Sequence, residues 1–146
     1  MFERLQAKSW ESPVRATVHN LAVDAYSMQH PDDYCKSVKS YVTHLTALCC
    51  ALEAAGDPNL YWGIPRWLDG PTHLQRPDNI MFRGSMTIAD VAGISDEDYP
   101  EAVRTWARAV WAAYQGQQES ARQWLQEVRR HATGTGAGAR SAGGRR

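Results

Sequence analysis

The 146-residue chain has little of what usually announces a function. It has only three cysteines, Cys35, Cys49 and Cys50. An odd count, with two adjacent on an expected helix and no Cys-x-x-Cys pair, gives no disulfide framework and no zinc or redox motif. The reading is of reduced thiols in a cytoplasmic protein. Formal net charge is zero, so no global field gathers nucleic acid or an anionic membrane. No stretch reaches the roughly 18 apolar residues of a membrane span. The opening "MFERLQAKSWES" has charges throughout and no apolar core, which argues against a cleaved secretory leader. There is no Gly-rich phosphate loop after a strand and no Gly-x-Ser-x-Gly. Basic residues do not gather on one face with aromatics between them, so nucleic-acid binding has only the C-terminal arginines behind it.

What is present is helical patterning. Phe2, Leu5 and Trp10 suggest a short helix over about 2–10. Ser12-Pro13 then starts a helix expected to run to about residue 30, with Pro13 in its first turn. His30-Pro31 breaks it, and Asp32 or Asp33 is expected to cap a long helix over 33–55. There Tyr34, Val38, Tyr41, Leu45, Leu48 and Leu52 follow a 3–4 spacing. Gly56-Asp57-Pro58 stops it. Residues 57–86, rich in Pro, Gly and Trp, read as a long ordered loop. Such loops often carry binding groups, so Trp62, Trp67 and His73 are of interest. Thr87-x-x-Asp90 marks the start of a short helical turn. Two further helices follow, over 99–115 with Val103, Trp106, Val110, Ala113 and Tyr114 inward, and over 118–131 with Ala121, Trp124, Leu125 and Val128 inward. The fold class is therefore all-α: a single-domain irregular bundle of about five helices spanning 1–131, with a long Trp/Pro-rich loop. Residues 132–146, "ATGTGAGARSAGGRR", contain no large apolar side chain to offset ordering entropy and are expected to form a disordered tail.

The polar residues that stand out lie in "HNLAVDAYSMQHP", residues 19–31. At 100° per residue, Val14, Val18, Leu21, Ala25 and Met28 share one face, while His19, Val23, Tyr26 and His30 form a second stripe. Asp24 lies on the opposite flank. His19 and His30 are separated by about 16 Å along the axis, too far to share an ion, and no single-helix metal motif exists. The next helix should pack antiparallel across a short turn near residues 31–32. That register brings His44 towards Asp24, on a flank lined by Ser37 and Ser40. The expectation is an Asp24–His44 pair in a polar pocket between two helices, with His19 and His30 elsewhere.

At "VDAYSMQHP" the sequence resembles an uncharacterised bacterial family, known only as a domain of unknown function. The likeness extends through "KSVKSYVTHLTALCCALE", "GSMTIADV" and "WARAVWAAY". It singles out His19, Asp24, Tyr26, Gln29, His30, Pro31, Ser37 and His44, and it implies no reaction, because no activity attaches to the family. Three functions follow from the residues. The first is binding of a small molecule or partner through the pocket around Asp24 and His44, with Tyr26, His30, His19 and Ser37 as further candidates. The second is a metal-dependent enzyme using the same histidines and aspartate. The third is an interaction module without a pocket. No metal set and no cofactor can be named from the sequence.

Overall fold

The computed structural model describes residues 12–67 and 83–144, together with Glu3 and Ala7. The elements are α1 (Pro13–Ala16), α2 (His19–Gln29), α3 (Pro31–Tyr34), α4 (Val38–Glu53), α5 (Pro58–Trp67), α6 (Ile88–Ala92), α7 (Tyr99–Ala113), a 3-10 turn (Gln115–Gln117) and α8 (Gln118–Gly144). Among the described residues there is no strand, and the fold is all-α. No described helix is long and apolar enough to cross a membrane. The helix expected over 2–10 lies outside the described residues except at Glu3 and Ala7, and His73 lies outside them altogether.

The core is organised around α4, which packs against α2, α5, α7 and α8. Residues 45–50, Leu-Thr-Ala-Leu-Cys-Cys, are all buried. A helix apolar around its circumference belongs at the centre of a bundle. On α7, Val103, Trp106, Ala107 and Val110 are fully buried, and on α8 Ala121, Trp124, Leu125 and Val128 face inward, as the spacing predicts. Glu53, at the end of α4, accepts from Trp111 Nε1 (2.9 Å) and Arg122 Nε (2.6 Å), which ties three helices together. The Arg122 guanidinium holds the Glu53 carboxyl below its ordinary range.

The expected helix boundaries shift in three places. The helix expected over 13–30 is broken at Thr17-Val18 into α1 and α2. Thr17 bonds its hydroxyl back to the Val14 carbonyl at 2.7 Å, a local bond that competes with helix propagation. Arg15 anchors α1 separately: its side chain is buried, bonds Asp96 and the Ile94 carbonyl (both 2.6 Å), and stacks over Tyr99. The break leaves Val14 exposed rather than in the core. The helix expected over 33–55 starts only at Val38, capped by Ser37, which accepts from Ser40 N at 3.0 Å, so Asp32 and Asp33 are not its cap. They sit instead in the first turn of α3, and Val38 is exposed.

The third shift is the largest. The segment read as a loop from residue 57 begins with the helix α5, while residues 68–82 lie outside the described set. Asp57 Oδ1 accepts from Asn59 N at 3.0 Å and Pro58 takes the first helical position, where its missing N–H costs nothing. Gly63 faces α8, where a Cβ would come into ordinary contact with Val128 Cγ1 at 3.4 Å. Thr87 and Asp90 form the expected cap of α6, with Thr87 N donating to Asp90 Oδ2 at 2.8 Å.

Between α4 and α5 the chain turns through two left-handed residues, Ala55 (φ 54°) and Gly56 (φ 65°), and Gly56 N returns to the Cys50 carbonyl at 3.0 Å. Glycine adopts this conformation freely, but alanine does not. Ala55→Gly should therefore raise stability by about 0.5–1 kcal/mol, read as a higher urea midpoint with unchanged slope. A loss of stability would mean that the alanine methyl group makes a compensating contact.

The end of α2 closes by side chains rather than by a further turn. Pro31 ends the helix and leaves its last carbonyls without helical partners. His30 N bonds the Tyr26 and Ser27 carbonyls, Tyr114 Oη donates to the Met28 carbonyl at 2.5 Å, and Arg83 Nη1 donates to the Gln29 carbonyl at 3.1 Å. The buried Gln29 side chain donates to the Arg83 carbonyl (2.9 Å) and the Met86 carbonyl (2.5 Å), and accepts from Trp106 Nε1 at 2.9 Å. Both protons and the oxygen of the amide are used. In "SMQHP", Met28, Gln29, His30 and Pro31 thus terminate a helix and fasten it to α7.

The helical backbone of α8 continues to Gly144, and its side chains are described as far as His131. The composition of 132–146 offers no apolar face to bury. A chain ending at His131 should keep the thermal midpoint of the full chain to within about 2 °C. A larger drop would show that the tail packs.

Candidate functional site

Asp24 points from α2 towards α4, where His44 faces it. His44 Nδ1 lies 2.8 Å from Asp24 Oδ1. The pair expected from helix register is therefore in contact, but for a slightly different reason. Short helix α3 and residues 35–37 lengthen the connection, so the facing positions are level about residue 34 rather than residues 31–32. The expected lining differs too. Ser37 caps α4, and Ser40 Oγ donates to the Tyr34 carbonyl at 2.7 Å, so neither serves the pair.

The third member of the cluster comes from α5. Tyr61 Oη donates to Asp24 Oδ2 at 3.5 Å. Sequence reasoning misses it because the composition of 57–86 reads as loop, whereas Tyr61 lies on α5. The Asp57-Pro58 pair was the available signal: a cap and first-turn proline place Tyr61 one turn into a helix that faces α4.

The Asp24 side chain is only 4% exposed, while that of His44 is 22% exposed. Burial raises the Asp24 pKa, and the hydrogen bond and charge of His44 only partly offset this. Burial and the neighbouring Asp24 likewise push the Tyr61 phenol up. An ionised Asp24 accepts only, so His44 Nδ1 donates to it. A neutral imidazole then carries its lone pair on Nε2, competent to accept a proton or to ligate one ion. Among the described residues, no group of three or more His, Cys, Asp and Glu could hold a metal ion. Thiol chemistry at α4 is also disfavoured, because burial raises Cys49 to about 12 and Cys50 to about 11.

On its other side Asp24 borders a cavity of about 360 Å³. Leu21 and Asn20 of α2, Ala55 and Gly56 of the α4–α5 turn, Pro58, Tyr61 and Trp62 of α5, and Arg104 of α7 contribute to its wall. Trp62 is 64% exposed, and its ring meets Tyr61 edge-on with centroids 5.2 Å apart. Arg104 is paired with Glu101 at 3.7 Å.

The remaining candidates lie elsewhere. His19 opens α2, is half-buried and is not part of the cavity wall. Tyr26, His30 and Tyr34 form a separate aromatic cluster at the opposite end of α2, with Tyr26–His30 centroids at 4.3 Å and Tyr26–Tyr34 at 5.4 Å. There burial, helped by Arg83, lowers the His30 pKa against an opposing effect of Asp33. Of the residues singled out by sequence, the structure brings together Asp24 and His44, places Tyr26 with His30 at a second position, and makes Ser37 a cap.

The sequence model of one family matches residues 1–115, the span from the N-terminus through α7. The chain belongs to the family of unknown function DUF5946. The matched region of this DUF5946 member includes Asp24, His44, Tyr61 and Arg104, and so the whole described wall of the cavity, while α8 follows it. No curated protein and no solved structure matches the chain.

The raised Asp24 pKa has a measurable sign. The folded state keeps the Asp24 proton to a higher pH than the unfolded chain, whose value is near 3.8. Stability from this group is therefore full below the unfolded value and falls as pH rises through the folded one. Asp24→Asn removes this dependence, so its midpoint should gain on the wild type as pH rises from about 3.8 through the raised folded-state value. A difference moving the other way would show that His44 outweighs burial.

Proposed function

We propose that this protein binds a small ligand in the cavity beside Asp24, with Asp24, His44 and Tyr61 as its polar end. One observation carries the reading: a nearly inaccessible carboxylate, disfavoured in its charged form, borders an open volume rather than packed side chains. Titratable groups perturbed by burial within a cleft are characteristic of functional sites. The volume lies at the small end of ligand pockets, and the wall is polar and apolar in about equal parts. The left-handed Ala55 at the rim adds a local conformational cost next to the cavity. His44 orients the carboxylate and shields it from the far side.

Leu21→Trp tests the reading by filling the cavity from its wall. A mixed fragment set followed by NMR should shift amides of α2 and α5 around Asp24 in the wild type and leave the variant unchanged. Fragments that bind both proteins equally would place the binding surface elsewhere and favour an interaction module.

A further inference from the structure

We infer that the ligand of the Asp24 cavity is a small organic cation, with an ammonium group directed at Asp24 and an apolar portion against Leu21 and Trp62; this rests on the reading of the cavity as a binding site. Three features of the wall point the same way. Its ionisable members are Asp24, Tyr61 and Arg104. Arg104 is half-exposed and shares Glu101 with Arg108, at 3.7 and 3.1 Å, while Asp24 is the buried charge of the wall, with His44 as its partner. An anionic ligand would set a second negative charge beside a poorly solvated one. A cation meets the carboxylate on the side away from His44.

A metal ion does not suit the same wall. Calcium and magnesium take six or more oxygen ligands, with several carboxylates or waters, and a transition metal needs more than one carboxylate and one imidazole. An ammonium group needs only a carboxylate, a hydroxyl and an aromatic face. Asp24, Tyr61 and the Tyr61–Trp62 pair supply these three. Rings beside a carboxylate attract an alkylammonium through their negative faces. Trp62 explains itself on this view. A large ring left 64% exposed at the mouth of a cavity becomes covered when a ligand lies across it.

Phenethylamine is a suitable probe, with 2-phenylethanol as its uncharged counterpart and 3-phenylpropionate as its anionic one. Each is titrated into the full chain, with affinity read by calorimetry and position by the indole N–H signal of Trp62. The amine should bind saturably and shift Trp62, the alcohol should bind at least about tenfold more weakly (about 1.4 kcal/mol), and the carboxylate should not bind. Asp24→Asn should bring the amine down to the affinity of the alcohol, and Trp62→Ala, at an exposed position where folding is secure, should weaken the amine separately. Equal affinities for amine and alcohol, or an amine affinity unchanged in Asp24→Asn, would overturn the cation while leaving the cavity as a site. If none of the three probes shifts Trp62, both the cation and the cavity reading fall.

Discussion

Gln29→Leu should lower the thermal midpoint by about 10 °C, the largest effect expected from a change this conservative in volume. The amide satisfies the carbonyls of Arg83 and Met86 and the indole N–H of Trp106. Leucine fills the space but leaves the buried indole N–H and the two part-buried carbonyls without those partners. Each such group costs about 1–3 kcal/mol, partly offset by the added apolar contact, for a net loss of about 3 kcal/mol. Gln29→Glu separates the two halves of the amide. It can still accept from Trp106, but it sets a carboxylate against two carbonyl oxygens. Its midpoint should be low at neutral pH and partly recover in acid, where the protonated group donates. A Gln29→Leu midpoint within about 2 °C of wild type would show that water enters and replaces the amide.

Trp106→Ala should cost about 3–5 kcal/mol, the range for removing a large aromatic from a packed interior. Trp106 is fully buried on α7, between the end of α2 and the core. Trp106→Phe divides this loss into its parts. It keeps most of the ring volume and strands the Gln29 oxygen, so it should cost about 1–2 kcal/mol. Combined with Gln29→Leu it should cost less than the two single changes added, because each already breaks the same hydrogen bond. Additive costs would mean that the amide and the indole do not depend on each other. A Trp106→Ala loss below about 1 kcal/mol would contradict its burial outright.

Much of this architecture was legible because apolar periodicity is a direct consequence of burial. The stripes on α7 and α8 are inward, and the cap at Thr87 is where the Thr-x-x-Asp spacing put it. Boundaries were harder to read, since they are set by contacts distant in sequence. The break at Thr17-Val18 accompanies the attachment of Arg15 to Asp96 and Ile94, some 80 residues away. The Pro- and Trp-rich composition of residues 58–67 suggested a loop, although Pro58 stands where a helix tolerates it best. The site was legible to the same degree. Asp24 and His44 could be paired from two helical wheels, whereas Tyr61 depended on recognising α5, and the cavity depended on the paths of four segments. Gln29 stands inside a conspicuous motif, but nothing local distinguishes a glutamine that binds water from one that binds three protein partners.

The same amide has a consequence for how sequences of this fold can drift. Gln29 reads main-chain carbonyls at positions 83 and 86, and every residue type presents the same carbonyl. The side chains at those two positions are therefore invisible to it and can change without disturbing the bond. Position 106 is different, since only an indole offers that N–H from the core of α7. Covariation between aligned relatives should accordingly record a 29–106 pair and miss the 29–83 and 29–86 contacts, although they are as close. A contact map inferred from covariation would then join position 83 to this end of α2 only through the Arg83 side chain, which reaches Asp32 at 3.4 Å, and would leave Met86 unattached there.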